Sequence, residues 1–303
     1  MIKNSKGGLM KKASFVYRLR IGIIRNWKKI PIWMLNVFGI LWAIIEPVYM
    51  YFPQYKSFFD SVGHYIFYGS VILAVAYAVF YRCVEPLHIT ISIKDTNTII
   101  HIMFGEFFSE GNHLAIPVNE FFDSQLGGGN AQHGDIVAPN SIHGQFITKI
   151  YNSDSAKFDD DVNNSLVGVG YRQSKRIAGK NLKYPIGTTA AIGIGANKNF
   201  LFALTKTDGS SAKASADVPT MWYALQGLWK KVREHSNGLP VSVPLIGSGQ
   251  SQVGLEPMHL VRLIILSILK ASKNQEITKE INIVLLNNYI DKINLIALKE
   301  EWS

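Results

Sequence analysis

The sequence predicts an α/β domain in three layers, helices on both faces of a mixed sheet, preceded by a two-helix transmembrane hairpin. Three observations carry this expectation. Two long apolar runs fill residues 32–52 and 64–84, short β-branched runs recur beyond them, and amphipathic segments separate the later runs. A chain of 303 residues accommodates one sizeable domain with such an appendage.

Residues 1–30 form a basic segment, read as cytoplasmic or interfacial. They contain Lys3, Lys6, Lys11, Lys12, Arg18, Arg20, Arg25, Lys28 and Lys29 and no acidic residue, which accounts for the whole net charge of +9. Basicity confined to one end of a neutral body does not predict a nucleic-acid partner. Within it, "FVYRLRIGIIRNWKK" interleaves arginines with apolar residues and suits a helix lying on an anionic membrane surface. The lone Cys83 excludes an internal disulfide framework and any multi-cysteine zinc site.

The hairpin is assigned to residues 31–84. Ile32 to Phe52 is interrupted only by Asn36, Glu46 and Pro47, and the second run, uncharged from Tyr65 to Tyr81, continues past Arg82 to Val84. A helix of about 20 residues spans the hydrocarbon core. Trp33, Trp42, Tyr49, Tyr51, Tyr65 and Tyr81 concentrate towards the ends, where amphipathic rings favour the headgroups. Residues 53–64 read as the short connection. The excess of Lys and Arg before the first span places the N-terminus and everything after residue 84 in the cytoplasm, as a multi-pass inner-membrane protein. A signal peptide fits poorly, because the basic region is long and no small-residue cleavage site follows. A buried core hairpin stays open as an alternative. Glu46 reads either as a residue at the membrane boundary or as one facing a pore or helix contact.

The α/β domain is assigned to residues 87–303. "HITISI" and "TIIHIMF" flank the turn "KDTN" as paired strands. "LAIPV" (114–118), "TAAIGI" (189–194), "FLFALT" (200–205), "VSVPLI" (241–246) and "INIVLL" (281–286) are continuously apolar, as strands covered on both faces are. Met221, Trp222, Leu225, Leu228, Trp229 and Val232 lie on one helical face, with Asp217 as cap and Asn237-Gly238 as stop. A second helix is expected at about 256–270 and a third at about 288–299. The polar stretch at 152–165, "NSDSAKFDDDVNNS", reads as a solvated loop.

In open α/β sheets ligands bind beyond the carboxyl ends of the strands. Asn119 directly follows one apolar run, and Gly247-Ser248-Gly249 links another to a helix, where backbone N–H groups and the helix dipole favour phosphate. The glycine run in "QLGGGN" (125–130) is the most conspicuous loop, yet Pro139 interrupts the path from it to the next helical segment. It reads as a bridge at the rim of the site.

"LAIPVNEFFDS", "SIHGQFI", "YPIGTTAAI" and "VPLIGSGQSQVG", in that order after a membrane hairpin, resemble the macro domain of the ThsA family of Thoeris antiphage effectors in its membrane-anchored, type II form. The resemblance implies a macro domain that binds an ADP-ribose derivative, histidine-ADP-ribose, made from NAD by a partner TIR-domain protein. It implies ligand-induced homo-oligomerisation, damage to the membrane lipid and abortive infection. It implies no cofactor and no catalysis. Asn119 takes the position of the macro-domain asparagine near the distal ribose. Ser141, Ile142, His143 and Gly144 take the first phosphate loop, and Ile246, Gly247, Ser248, Gly249 and Gln250 the second. Typical macro domains carry a glycine-rich run into a small-residue helix where this chain has "SIHGQFI", so an inherited hydrolytic role is in doubt. Glu120 adjoins Asn119. Asp123 meets a ribose hydroxyl or only begins a turn. Gly187 and Thr188 border the pocket.

The chemistry of the residues is consistent with binding. No H-E-x-x-H, Cys–His zinc pattern or G-x-S-x-G elbow is present, so no catalytic or metal residue is assigned. His133 and His143 have no metal-specific spacing; each is a loop histidine unless the resemblance makes His143 part of the ligand shell. Three functions therefore compete: a ligand-gated membrane effector, a membrane-anchored ADP-ribosyl or ADP-ribose-derivative hydrolase, and a structural anchor with a degenerate pocket.

Overall fold

The computed structural model describes residues 14–92, 96–109, 113–127, 136–194, 197–211, 213–249, 253–273 and 275–302. The chain divides into two compact units, residues 1–87 and 88–303.

In the first unit, α1 (Phe15–Asn26) starts at Ser14, whose Oγ accepts from the Tyr17 N–H at 3.3 Å. Helix α2 (Ile30–Tyr51) has Pro31 in its first turn, where a missing N–H costs nothing, and runs on through Pro47. Helix α3 (Lys56–Ala76) ends in a π-helical turn, Tyr77–Tyr81. Only Phe52 and a 3-10 turn, Pro53–Tyr55, separate the two helices, so the connection is shorter than the expected 53–64. Lys56 to His64 contains no proline, and side chains fasten it to α2. Tyr49 Oη donates to Asp60 Oδ1 at 3.2 Å, and the Tyr49 and Phe59 rings meet edge to face at 6.0 Å. Farther along, Phe38, Trp42 and Phe67 cluster, and Trp42 Nε1 donates to Ser70 Oγ at 3.3 Å. Both long helices are long and apolar enough to cross a membrane.

The second unit is built on one mixed sheet. Its strands are β1 (His88–Ser92), β2 (Ile99–Phe104), β3 (His113–Asn119), β6 (Thr189–Ile194), β7 (Asn197–Thr207), β9 (Val241–Pro244) and β10 (Glu280–Leu285), in the order β1-β2-β10-β9-β3-β7-β6. The short β8 (Ala214–Ser215) pairs with β7, while β4 (Arg172–Gln173) and β5 (Leu182–Lys183) form a separate antiparallel ribbon. Pairs from β2 to β7 are parallel; β1 and β6 close the edges antiparallel. This is the three-layer mixed-sheet fold expected.

Successive side chains of a strand point to opposite faces, and two cores follow. Ala115, Phe200, Phe202 and Leu204 point to the core shared with α6 (Val218–His235), α7 (Pro257–Ser272) and α8 (Leu295–Trp302). Leu114, Ile116, Val118, Leu201 and Ala203 point to the other, shared with α4 (Ile142–Ile150) and α5 (Ser155–Ser165). Helices on both sides are why the central strands lack alternation. Where Trp229 of α6 meets α7, its Nε1 donates to Ser267 Oγ at 2.9 Å, satisfying the one polar atom of a fully buried indole.

Two further expectations are corrected. The stretch 152–165 is largely the helix α5: Asp154 caps it by accepting from the Lys157 N–H at 3.0 Å, and Phe158 and Val162, one turn apart, are fully buried. The final helix begins at Leu295 rather than about 288; a 3-10 turn (Asn287–Tyr289) comes first, and Asn294 Oδ1 caps α8 through the Ala297 N–H at 3.0 Å.

If α5 is a packed helix, Phe158→Ala in the detergent-solubilised full chain should cost about 3–5 kcal/mol. Asp160→Ala on its exposed side should stay within about 0.5 kcal/mol. Chemical denaturation followed by circular dichroism distinguishes a packed helix from a solvated loop, for which both changes would be silent.

Candidate functional site

Strands β3 and β9 are neighbours whose chains leave in opposite directions: β3 continues to α4 on one face of the sheet, β9 to α7 on the other. That is a topological switch point, the place where open α/β sheets leave a crevice. The two strands pair only at His113↔Val241 and Leu114↔Ser242, whereas β3 stays registered with β7 as far as Asn119↔Thr205. The ladder between β3 and β9 ends at Leu114↔Ser242, two residues before β9 ends at Pro244. Two loops flank the opening, residues 119–124 after β3 and 245–249 after β9.

The first loop is a buried turn built round Asn119. Its Oδ1 accepts from the Phe121 and Asp123 N–H groups at 3.1 and 3.2 Å, and its Nδ2 donates to Asp123 Oδ2 at 2.8 Å. These bonds hold Phe122 at φ 53°, a conformation unusual for a residue with a side chain. Glu120 extends the sheet by backbone bonds to Thr205 and Tyr184, and its buried carboxylate takes the Thr207 N–H at 3.0 Å and Lys183 Nζ at 3.2 Å. Asp123 is also buried. It pairs with Arg176 Nη1 at 2.9 Å and accepts from the Lys180 N–H at 2.8 Å. The Arg176 guanidinium, fully buried itself, lies 3.9 Å over the Phe121 ring. Removing one partner of such a pair strands the other charge, at a cost of about 3–5 kcal/mol. The loop between β4 and β5 is thereby clasped onto the turn after β3. Lys180 adds a bond from Nζ to the Phe122 carbonyl at 2.7 Å and an ion pair with Asp159, which takes the Ser124 hydroxyl at 2.9 Å.

The start of α4 lies against the same group. Ser141 is its cap: Oγ accepts from the Gly144 N–H at 2.9 Å and donates to the Ala138 carbonyl at 2.7 Å. A Cβ on Gly144 would fall 2.2 Å from that carbonyl oxygen, so the glycine permits close packing. Ile142 packs into the α4–α5 core. The His143 ring is buried 5.6 Å from Phe158, and burial, reinforced by Lys180, pushes its pKa down to about 3. The ring is neutral at any physiological pH.

The second loop differs in character. Ile246 is buried in the α6–α7 core and Gly247 has φ +88°, with Val253 and Leu260 filling the space where a side chain would go. Ser248 Oγ reaches the Leu245 carbonyl at 3.4 Å. Gly249 is exposed, and a Cβ there would meet nothing within 4 Å. Gln250 lies outside the described residues, as do Gly128, Gly129, Asn130 and His133; Gly127 donates its N–H to the Val137 carbonyl at 3.0 Å.

The fold thus gathers Asn119, Glu120, Asp123 and the 141–144 segment on one side of the crevice and 246–249 on the other. Gly187 and Thr188 exchange backbone bonds with Ala203 of β7, and Gly187 faces Gly227 of α6, so they stand beyond β3 from the glycine loop. Arg176, Lys180, Ser124 and Asp159 have no local sequence signal. Asp123 and Arg176 are 53 residues apart and only the fold unites them. Among the described residues no group of His, Cys, Asp or Glu is arranged to hold a metal ion.

Unfolding returns His143 to its ordinary value near 6.5, so the unfolded chain binds a proton that the folded chain refuses. Stability should therefore fall as pH drops from about 6.5 towards 3. His143→Gln should reduce the slope of thermal midpoint against pH across that window, without abolishing it, since burial also lowers His101 and His113.

The family model described as Thoeris protein ThsA, Macro domain, matches residues 100–286, more than half of the chain. No curated protein sequence matches it. Among solved structures, the chain is similar to a mutant of the Oceanobacillus iheyensis macrodomain with ADPR, at 12% identity and a TM-score of 0.46, covering 71% of this chain and 98% of that one. It is similar to the Oceanobacillus iheyensis macrodomain with ADP, at 15% identity and a TM-score of 0.44, covering 71% and 97%. It is also similar to the Trypanosoma brucei macrodomain in complex with ADP-ribose, at 10% identity and a TM-score of 0.38, covering 64% and 67%. By the match over residues 100–286, the chain belongs to the family of the Thoeris protein ThsA macro domain.

Proposed function

We propose that this chain is a membrane-anchored effector of antiphage defence, gated by an ADP-ribose derivative bound in the crevice between β3 and β9. The observation that carries the reading is the end of the β3–β9 ladder at Leu114↔Ser242, at the switch point of the sheet, with the exposed Gly249 loop after β9. Backbone N–H groups of a glycine loop leading towards α7 suit phosphate oxygens, and the helix dipole adds to the attraction. The signal is histidine-ADP-ribose, supplied by a TIR-domain protein that acts as its source. Binding drives homo-oligomerisation, and the two apolar helices then disrupt the inner membrane and end the infection abortively. The N-terminus and the macro domain face the cytoplasm.

The site favours a receptor over a hydrolase. Asn119, Asp123 and Ser141 commit their side chains to one another or to the backbone, and His143 is buried and neutral. Three of these side chains are already engaged, and a buried ring with a pKa of about 3 is a weak base for activating water. A hydrolase reading would be restored by turnover of ADP-ribose or its histidine derivative at an ordinary enzymatic rate.

Calorimetry on the full chain should show saturable binding of the derivative. Gly249→Glu should weaken it by roughly tenfold or more, about 1.4 kcal/mol, by placing a carboxylate against phosphate. The thermal midpoint should not move, because the space at Gly249 is open. Equal affinity in wild type and variant would refute the placement of the phosphates.

A further inference from the structure

Helix α1 has two unlike faces, and contacts within the first unit determine which one is free. Arg18, Gly22 and Arg25 recur at the i, i+4, i+7 spacing of a single helical stripe. That stripe is fastened to the segment that follows the second apolar helix. Arg18 Nε donates to the Glu85 carbonyl at 2.7 Å, and Arg25 Nη1 pairs with the buried Glu85 carboxylate at 3.1 Å. Between the two arginines, a Cβ on Gly22 would fall 1.5 Å from the Cys83 carbonyl oxygen, so the helix sits directly on that backbone. The rotation of α1 about its axis is therefore fixed.

The opposite stripe is apolar and uncovered. Val16, Ile24 and Trp27 are 74%, 62% and 63% exposed, with the exposed Arg20 among them. Lys28 and Lys29 follow immediately, Lys28 Nζ lying 5.5 Å from the Trp27 ring. Residues 14–30 carry cations and no acid, and Ile30 already begins the first apolar helix, α2. An exposed stripe of apolar residues that includes Arg20, is followed by Lys28 and Lys29 and is continuous with a membrane-length helix has the chemistry of a helix lying in an anionic headgroup layer.

We infer that the Val16–Ile24–Trp27 face of α1 docks on an anionic lipid surface while its Arg18–Gly22–Arg25 face latches the chain at Cys83–Glu85. The inference rests on the membrane reading of the first unit and is independent of what the macro domain binds. Lipid attraction on one face and the Glu85 latch on the other hold residues 83–85 of the first unit at the membrane surface.

The test uses the full chain reconstituted into vesicles of phosphatidylcholine alone and of phosphatidylcholine mixed with phosphatidylglycerol. A nitroxide is attached at Ile24→Cys or Val16→Cys in a Cys83→Ser chain, and its collision rates with oxygen and with a water-soluble nickel chelate are compared. With phosphatidylglycerol present, the oxygen-to-nickel ratio should rise several-fold over that in phosphatidylcholine alone. Hydrogen exchange of residues 15–26 in the unsubstituted chain should show matching protection, which covers the case of a variant that does not fold. Equal water accessibility in both vesicles overturns the inference. So does burial that is independent of phosphatidylglycerol but rises with protein density, which would identify a second copy as the occupant. Failure of the chain to float with vesicles would remove the membrane reading itself, and flotation with a water-exposed label would remove this inference alone.

Discussion

Strand β3 is paired on both edges and covered on both faces, and the groups at its carboxyl end take their positions from that confinement. Its odd and even side chains serve two separate cores, one under α4 and α5 and one under α6, α7 and α8. A strand held this way cannot twist or shift to follow a neighbour. Pairing with β9 stops after Leu114, while pairing with β7 continues to Asn119. The switch point at the centre of the sheet follows from topology: the chain turns to one face after β3 and to the opposite face after β9.

The two sides of that switch point are built on different principles. After β3, polar side chains brace one another. Asn119 braces the turn, Asp123 and Arg176 neutralise each other, and Lys180 ties Asp159 to the Phe122 carbonyl. Buried ion pairs contribute little net stability, but they resist rearrangement because breaking one exposes an uncompensated charge. After β9, the described residues present little more than backbone. Gly247 is fixed by its neighbours, whereas Gly249 is open. A braced wall facing an exposed glycine loop suits recognition of a ligand with several phosphate oxygens.

Much of this was legible in the sequence. The five apolar runs became strands because burial on both faces erases alternation, leaving an unambiguous run. The caps Asp217 and Ser141 act locally, as cap residues do. Helix α5 was hidden because only Phe158 and Val162 of its eleven residues face the core, so polar composition outweighed a two-residue stripe. The Asp123–Arg176 pair was invisible for a different reason: no local pattern marks residues that meet only after the sheet has formed. Asn119, expected to face a ribose, spends its amide on its own turn. The glycines that attract attention at 127–129 are less informative than Gly249, whose importance depends on the space around it. That space cannot be read from a sequence.

The proposed ligand site lies between the turn at 119–124 and the loop at 245–249. An experimental structure of the full chain with histidine-ADP-ribose bound tests it most directly. The account predicts phosphate density within hydrogen-bonding distance of the backbone at 247–249 and the distal ribose against residues 119–124. Density for the ligand anywhere outside the β3–β9 crevice would contradict it.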